Sequence, residues 1–325
     1  MQHHHRDSQM YGEIKLFSGT ACPDLAAEIA GYLGVPLGGR DIIKFPNENI
    51  FVKLHSSVRG QDVYVLQTTS TPVSDNLLEL LITIQTLKLD SASRITVVIP
   101  YLSYARSDKK DQPRVPITAR LVADMIEVAG ADRYITMDLH AGQIQGFFSI
   151  PGDVLTAFHL LSDYFVEKRS ALKDLVIVTA DLGFAKKGRN FAAKIGASMA
   201  FIEKRRTGND ANAQAMTVIG DVQGKDVLIV DDEVDTGGSV VQAVEIVKEH
   251  GAANVYLSFV HPVLSGPAVE RLRGLPLTEI VFTNTIPLPP EKRLPNMRVL
   301  SVAPLLGEVI RRAHEGRSVG EMFNE

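Results

Sequence analysis

Short apolar runs alternate with amphipathic segments along most of the chain, and this alternation constrains the fold more than any other feature. Apolar runs at residues 63–66, 95–99 and 134–137 are separated by segments of helical periodicity at residues 74–87 and 117–129. Apolar runs of four or five residues are typical of strands that are buried on both faces. Because the connecting segments are long enough for crossover helices, the pattern predicts βαβ units and a mostly parallel sheet.

A second series of the same kind follows residue 173. It predicts strands at residues 175–178, 199–202, 227–230, 255–260 and 280–282, with helices at 189–195 and 239–250. The alternation pauses between residues 151 and 173, which places a domain boundary near Thr156. A chain of 325 residues also fits two domains of about 150 residues each. The predicted fold class is α/β, with two similar domains that each contain a mostly parallel sheet flanked by helices.

The amino-terminal residues 1–11 are predicted to be a disordered lead-in. They contain three consecutive histidines but no apolar segment of the kind that a signal peptide requires. We therefore interpret the histidines as part of this lead-in rather than as a metal site. The first domain is expected to span residues 12–156 and the second residues 157–311, with residues 312–325 returning to the first.

The composition excludes several classes of protein. The net charge of -4 lacks the basic excess with which proteins attract nucleic acids or membrane surfaces. No apolar run approaches the roughly 20 residues that span a bilayer. Cys22 is the single cysteine, which excludes a disulfide within one chain and fits a reducing compartment. We expect a cytoplasmic protein with no nucleic-acid partner and no membrane partner.

The segment from Val227 to Ser239 is the most informative motif. Four apolar residues predict a strand, Asp231 and Asp232 follow at its carboxyl end, and a Thr-Gly-Gly-Ser turn opens the next helix. In open α/β sheets ligands bind beyond the carboxyl ends of strands, and a glycine-rich turn at a helix N-terminus favours a phosphate. The carboxylates fit ribose hydroxyls, bound directly or through a divalent cation. The alternative interpretation is an acidic helix cap followed by a tight turn.

Polar segments follow other predicted strands as well. Residues 104–111 hold three cations within five positions, which suits a polyphosphate donor, although a solvated charged loop has the same composition. His140 lies just beyond a strand and could ligate a metal, contact a phosphate or serve a structural role. Asp181 ends another strand and is a candidate metal ligand.

A basic triplet at residues 204–206 follows the strand predicted at 199–202. It opens a polar stretch at residues 207–214, which we interpret as a mobile flap. Loops of this kind often close over a reaction centre.

Together these segments resemble the ribose-phosphate pyrophosphokinase family, over residues 14–323. The turn at residues 236–239 is also similar to that of type I phosphoribosyltransferases, but residues 104–111 and 138–148 distinguish the pyrophosphokinases. Further matching stretches lie at residues 17–19, 72–79, 261–266, 283–287 and 318–323. The resemblance implies type I phosphoribosyltransferase-like domains and a transferase of nucleotide biosynthesis. Such an enzyme moves the β,γ-diphosphoryl group of ATP to the C1 hydroxyl of ribose 5-phosphate.

The resemblance also assigns roles to individual residues. For ATP it implies Phe45, Asn47, Asn49, Arg106, Ser107, Asp108, Asp111 and His140. For ribose 5-phosphate it implies Asp231, Asp232, Asp235, Thr236, Gly237, Gly238 and Ser239. His140 and Asp181 would hold Mg²⁺, and Lys204 and Arg206 would be catalytic, because they would stabilise charge on the transferred group.

Assembly and regulation are further implications of the resemblance. Phe45 and the residues after it would reach the adenine pocket of a neighbouring subunit. A homo-oligomer of the hexamer-of-dimers type is therefore expected. Inorganic phosphate would act as an activator. An allosteric site for phosphate or ADP would use Ser57, Arg59, Ser318 and Phe323.

The chain departs from the family pattern at several positions. Asn49 stands where a carboxylate is usual, Ser107 replaces a glutamine, and Phe184 replaces a glycine. The allosteric segments differ at Gln112, Pro113, Gly142, Val154 and Gly320. These differences leave nucleotide selectivity and regulation by ADP open. Two other functions are alternatives: a non-catalytic subunit that binds catalytic relatives, and a phosphoribosyltransferase that consumes phosphoribosyl pyrophosphate.

Overall fold

The computed structural model describes residues 11–179, 184–206 and 214–323. The chain forms two compact units. Unit 1 comprises Met1–Leu155 and Val302–Glu325, and unit 2 comprises Thr156–Ser301. The predicted lead-in at residues 1–10 lies outside the described residues.

Unit 1 is built on a parallel sheet with a separate hairpin. Its strands are β1 (Ile14–Ser18), β2 (Arg40–Lys44), β3 (Ile50–Leu54), β4 (Asp62–Leu66), β5 (Arg94–Ile99), β6 (Arg133–Met137) and β7 (Gly152–Leu155). The sheet has the order β1-β4-β5-β6-β7 with every pair parallel, while β2 and β3 pair antiparallel. Every residue of β4 and β5 is buried, as the uninterrupted apolar runs predict.

Three helices of unit 1 lie between its strands. They are α1 (Pro23–Leu33), α2 (Val73–Leu89) and α3 (Thr118–Ala129). The buried residues of α3 recur at helical spacing, at Ala119, Val122, Ala123 and Ile126, and they join the same apolar core as Leu80 and Ile84 of α2. The predicted helices at residues 74–87 and 117–129 are therefore confirmed.

Unit 2 contains a seven-stranded sheet. Its strands are β8 (Val176–Thr179), β9 (Ser198–Arg206), β10 (Gln214–Ile219), β11 (Asp226–Glu233), β12 (Asn254–His261), β13 (Leu277–Thr283) and β14 (Met297–Leu300). The order is β10-β9-β8-β11-β12-β13-β14, and all neighbours are parallel except β9 and β10. The strand order therefore reverses between β8 and β11.

The helices of unit 2 are α4 (Phe158–Glu167), α5 (Ala185–Ile195), α6 (Gly238–Glu249) and α7 (Ala268–Arg273). The alternation of strand and helix does not pause between residues 151 and 173 as the sequence pattern indicated, because β7 and α4 occupy much of that interval. Helix α4 buries Phe158, Leu161 and Phe165 at helical spacing, and at its start the Phe158 N–H donates to the Thr156 hydroxyl at 3.2 Å. Within the described ranges, no helix combines the length and apolar character that crossing a membrane requires.

The chain returns to unit 1 through α8 (Ala303–Glu315), which a buried ion cluster holds in place. The Arg94 guanidinium donates to both carboxylate oxygens of Asp62, at 2.7 and 2.6 Å. It also donates to the carbonyl of Ala313 at 3.1 Å, and His314 Nδ1 lies 2.7 Å from Asp62. These contacts fasten α8 to the amino-terminal ends of β4 and β5. Removing one partner of the cluster would leave a buried charge uncompensated.

Candidate active site

The Val227 to Ser239 motif lies at the point where the strand order of unit 2 reverses. Strand β11 pairs with β8 on one side and β12 on the other, and the chain beyond its carboxyl end leads into α6. Connections from β8 and β11 leave the sheet toward opposite sides, which opens a crevice at the carboxyl ends of these strands. Asp181, predicted at the end of β8, lies outside the described residues.

Two carboxylates occupy the carboxyl end of β11. Asp231 Oδ1 accepts a hydrogen bond from the Asp232 backbone N–H at 2.9 Å, and Asp232 Oδ1 accepts one from the Glu233 N–H at 2.9 Å. Burial, reinforced by the neighbouring Asp232 carboxylate, raises the pKa of Asp231 well above its ordinary value. Negative charge is therefore costly here without a partner, and a cation or hydroxyl donors would stabilise it.

The turn after these carboxylates presents the N-terminus of α6. Gly237 precedes the helix in the left-handed region, with φ of 75°, where a side chain would be strained. Gly237 has no side chain that could cap this first turn, and Thr236 and Ser239 are exposed beside it. The first-turn N–H groups and the helix dipole together favour an anion such as a phosphate.

Residues from a later segment hold this turn in place. The Ser265 hydroxyl donates to the Asp235 carboxylate, and its backbone N–H donates to the Asp235 carbonyl at 3.0 Å. Arg271 Nη1 donates to the Thr236 carbonyl at 2.8 Å, which brings a cation beside the proposed phosphate position. Arg271 was not predicted as a site residue, because the contact joins residues 35 positions apart.

In unit 1 two of the predicted ATP-binding loops lie at the same edge of the sheet. Strands β5 and β6 are parallel neighbours, so the loop at residues 104–111 and the segment after Met137 follow adjacent carboxyl ends. Asp108 is buried and accepts a hydrogen bond from Gln143 in the 3-10 turn Gly142–Phe147. Arg106 and His140 are exposed on these two loops. The Asp108–Gln143 contact therefore holds the loops together.

Ser107 contacts the start of α3. Its hydroxyl oxygen accepts from the Thr118 N–H at 3.2 Å, and its carbonyl accepts from the Ala119 N–H at 3.1 Å. The side chain thus caps a helix terminus from a distant loop. Asp111, four residues further along, is exposed.

Phe45, Asn47 and Asn49 form the exposed tip of the β2–β3 hairpin. The Phe45 N–H donates to the Asn49 carbonyl at 2.9 Å, and the Asn49 N–H donates to Asn47 Oδ1 at 3.2 Å. The Phe45 ring is 45% exposed and lies 6.0 Å from the ring of Phe51, which is 42% exposed. Two neighbouring exposed rings at a hairpin are typical of a contact surface.

The predicted allosteric residues lie in two exposed segments of unit 1. Ser57 Oγ accepts from the Arg59 N–H at 3.2 Å, and Ser318 Oγ accepts from the Gly320 N–H at 3.1 Å. Each hydroxyl thus stabilises its own turn. The side chain of Phe323 lies outside the described part.

The structure changes the setting of the predicted catalytic cations. Lys204 and Arg206 were expected to begin a flap, but their backbone belongs to β9, where they pair with Met216 and Gln214 of β10. Residues 207–213 of the predicted flap lie outside the described residues. Phe184 is buried, with its ring 5.2 Å from that of Phe158 on α4.

Of the two predicted magnesium ligands, His140 belongs to the described residues and Asp181 does not. In the described ranges no group of three or more His, Cys, Asp or Glu side chains could hold a metal ion. Mg²⁺ is commonly bound by one or two carboxylates together with substrate phosphates. The oxygen ligands at Asp231 and Asp232 fit that mode of binding.

Two family profiles match the chain. The profile described as the N-terminal domain of ribose phosphate pyrophosphokinase matches residues 14–130. The profile described as a phosphoribosyl synthetase-associated domain matches residues 207–324.

Relatives are similar over nearly the whole length. The ribose-phosphate pyrophosphokinase of Caldanaerobacter subterraneus subsp. tengcongensis is 49% identical over 310 residues, covering 95% of this chain and 98% of that protein. The protein of the same name from Clostridium acetobutylicum is 47% identical over 312 residues, covering 96% and 98%. The crystal structure of phosphoribosylpyrophosphate synthetase from Mycobacterium smegmatis matches with a TM-score of 0.89 and 42% identity, covering 94% of this chain and 99% of that chain.

Proposed function

The chain belongs to the ribose-phosphate pyrophosphokinase family, and on this premise we propose how its residues carry out the reaction. The enzyme transfers the β,γ-diphosphoryl group of ATP to the C1 hydroxyl of ribose 5-phosphate, which gives phosphoribosyl pyrophosphate and AMP. The observation that carries the assignment of residues is the glycine-led N-terminus of α6 beside two carboxylates at the strand-order reversal of unit 2.

Ribose 5-phosphate is assigned to this part of unit 2. The 5-phosphate would accept hydrogen bonds from the first-turn N–H groups of α6 and from the hydroxyls of Thr236 and Ser239. Asp231 and Asp232 would bind the ribose hydroxyls, either by accepting hydrogen bonds from them directly or by coordinating a Mg²⁺ that the hydroxyls also ligate. The contacts of Ser265 and Arg271 support the assignment, because they hold the turn in one conformation before the substrate binds.

ATP is assigned to the loops at the carboxyl edge of the unit 1 sheet. Arg106 and His140 would contact its phosphates, and the buried Asp108–Gln143 contact would keep their loops together. Asn47, Asn49 and the Phe45 ring would contact the nucleotide bound to a neighbouring subunit. Ser107 is assigned here through its cap on α3, which orders the loop that carries Arg106.

Charge stabilisation is the main catalytic requirement of diphosphoryl transfer. When bound, Mg²⁺ supplies charge neutralisation on the phosphate oxygens, and we assign its protein ligands to His140 and Asp181. Lys204 and Arg206 would stabilise charge on the transferred group from the β9 side. We assign no obligatory side-chain base, because the reaction depends mainly on positioning the C1 hydroxyl in line with the β-phosphorus.

The activity itself is tested by incubating the protein with ATP, Mg²⁺ and ribose 5-phosphate. AMP and phosphoribosyl pyrophosphate should appear together in the chromatogram. A non-catalytic subunit would form neither product, and a phosphoribosyltransferase would consume added phosphoribosyl pyrophosphate only when a base is supplied.

The protein is expected to be oligomeric whenever it is active. The exposed rings of Phe45 and Phe51 support this expectation, because a tip that completes a neighbouring site needs a second copy. Light scattering at assay concentration should give a mass of at least a dimer, with a homohexamer as the proposed state. An active species with the mass of a single chain would contradict the shared site.

Asn49 is expected to weaken the discrimination between ATP and GTP. An amide both donates and accepts, whereas a carboxylate only accepts, so the amide can also serve a purine that carries an oxygen at C6. The ratio of kcat/KM for ATP and GTP should therefore rise in Asn49→Glu, whereas Asn49→Ala should not raise it. If Asn49→Glu leaves the ratio unchanged, the backbone of residues 45–48 reads the base instead.

Regulation and location complete the proposal. Inorganic phosphate is proposed as an activator that binds near Ser57, Arg59, Ser318 and Phe323, and the exposed Arg59 is its charged partner. The cytoplasm is the proposed location, because the chain has a single cysteine.

A further inference from the structure

The carboxylate of Glu79, on α2, is buried in unit 1 and accepts three hydrogen bonds. Glu79 is 6% exposed. One oxygen accepts from the Thr20 backbone N–H at 2.6 Å and from Gln67 Nε2 at 2.9 Å, and the other accepts from the Thr20 hydroxyl at 2.6 Å. A buried carboxylate is stable only with such donors, so these contacts fix Thr20 and Gln67 relative to α2.

The segment that Glu79 holds is the short loop after β1. Gln67 Oε1 also accepts from the Ala21 N–H at 3.1 Å. The side chains of Glu79 and Gln67 thus both bind the backbone of this loop. A Cβ added to Gly19 would lie 2.2 Å from Gln67 Oε1 and 2.7 Å from Glu79 Oε1. A side chain at position 19 would therefore displace the Gln67 amide and the Glu79 carboxylate from these contacts.

The same loop supports the base of the β2–β3 hairpin. The guanidinium of Arg40, the first residue of β2, donates to the carbonyls of Ser18 and Gly19, the second at 3.1 Å. Lys44, at the other end of β2, pairs with Asp75 of α2 at 2.8 Å. The loop thus lies between Glu79 and the hairpin whose tip carries Phe45.

In the other direction the network reaches the loop that carries Arg106. Gln67 directly follows β4, and two residues later Thr69 Oγ1 donates to the Tyr101 carbonyl at 3.0 Å. The same oxygen accepts from the Ser103 N–H at 2.7 Å. The contacts of Glu79 are therefore linked to the loop after β5 by the short chain segment at residues 67–69, beyond the carboxyl ends of β4 and β5.

We propose that Glu79 is a positioning residue for ATP, which orients both the Phe45 hairpin and the Arg106 loop through the residues that it holds. The inference rests on the proposed function, since that function assigns Phe45 and Arg106 to the nucleotide. The Glu79 carboxylate acts on the hairpin and on the loop through its contacts with Thr20 and Gln67. The ordinary alternative is that Glu79 merely stabilises unit 1.

Hydrogen exchange separates these two roles without any use of activity. In Glu79→Ala, amides at residues 19–21 and 40–54 should exchange faster than in the wild type. The matched control is Asp153→Ala, which breaks the 2.8 Å ion pair with Arg133 in the same unit. That pair joins β6 and β7, and β7 is the edge strand opposite β1. Equal protection of residues 40–54 in Glu79→Ala and wild type would overturn the proposal.

Kinetics provide the second readout. The KM for ATP should rise about tenfold in Glu79→Ala, equivalent to about 1.4 kcal/mol, while the KM for ribose 5-phosphate stays within about twofold. Glu79→Gln should restore most of the ATP affinity, because its amide oxygen can accept from the Thr20 N–H and its NH₂ can donate to the Thr20 hydroxyl. Should Glu79→Ala fail to fold, Thr20→Val removes one of the three contacts at an exposed residue and should raise the KM for ATP in the same direction.

The outcomes separate failure of this inference from failure of the proposed function. A wild type that forms no phosphoribosyl pyrophosphate rejects the proposed function, while the exchange data still decide the role of Glu79 in ordering the hairpin. If the wild type is active but the KM values for ATP and for ribose 5-phosphate rise together in Glu79→Ala, the positioning role is contradicted. An equal rise of the KM for ATP in Asp153→Ala contradicts it as well.

Discussion

Replacing Lys204 with alanine is expected to lower kcat by about 10²–10³-fold, the usual effect of removing one donor that stabilises transition-state charge. Both KM values should change far less, because the proposed contact forms with the group in transfer rather than with bound ATP or ribose 5-phosphate. Steady-state kinetics with each substrate varied in turn measure the effect. The backbone of Lys204 lies in strand β9, paired with Met216, and not in a loop.

A control for Lys204→Ala is available in the same unit. Lys225 pairs with Asp221 at 2.9 Å, outside the proposed site, so Lys225→Ala should keep near-wild-type kcat. Turnover of Lys204→Ala close to that of the control would reject the catalytic assignment.

Replacing Asp231 with asparagine is expected to stabilise the ligand-free protein while impairing catalysis. The pKa of Asp231 is raised by burial and by Asp232, so the native state binds more protons than the unfolded chain between the unfolded and native pKa values. The free energy of unfolding therefore falls as pH rises through that window. Asparagine cannot ionise, so Asp231→Asn should flatten this fall and raise the Tm at neutral pH.

The same substitution should lower kcat/KM for ribose 5-phosphate by about 10–100-fold, since a hydrogen bond to a charged group contributes about 1.5–3 kcal/mol. Asp221→Asn is the matched control. Hydrogen bonding from Lys225 lowers the pKa of Asp221, so that variant should lose stability slightly and keep its kinetics. An Asp231→Asn protein that is less stable than wild type at neutral pH, or fully active, would contradict this account of the pair.

The fold was predictable where burial leaves a strong pattern. Strands β4, β5 and β11 are buried along most or all of their length, so their apolar runs identified them without help from neighbours. The β2–β3 hairpin was missed because most of its residues are exposed or partly exposed, so no clear apolar alternation marks it. Helix α4 was missed because it is short and because Ala157, the residue directly before it, is not a capping type.

The residues of the candidate site at strand ends were predictable, whereas the residues that hold them in place were not. Asp231, Asp232 and the glycine turn form one continuous motif, and chain connectivity alone places them beside a helix N-terminus. Arg271 and Glu79 act through contacts with residues 35 and 59 positions away, and a single sequence carries no local signal for such pairs. The extension of β9 through Lys204 and Arg206 depends in the same way on its pairing with β10.

Following the γ-phosphate of ATP tests the central claim most directly. With ATP labelled at the γ-phosphorus, Mg²⁺ and ribose 5-phosphate, all transferred label should appear in phosphoribosyl pyrophosphate, with one unlabelled AMP formed for each labelled product. ATP labelled at the β-phosphorus should give the same result, because the two phosphates move as one group. Label in inorganic phosphate or in a ribose bisphosphate, with ADP as the other product, would contradict diphosphoryl transfer.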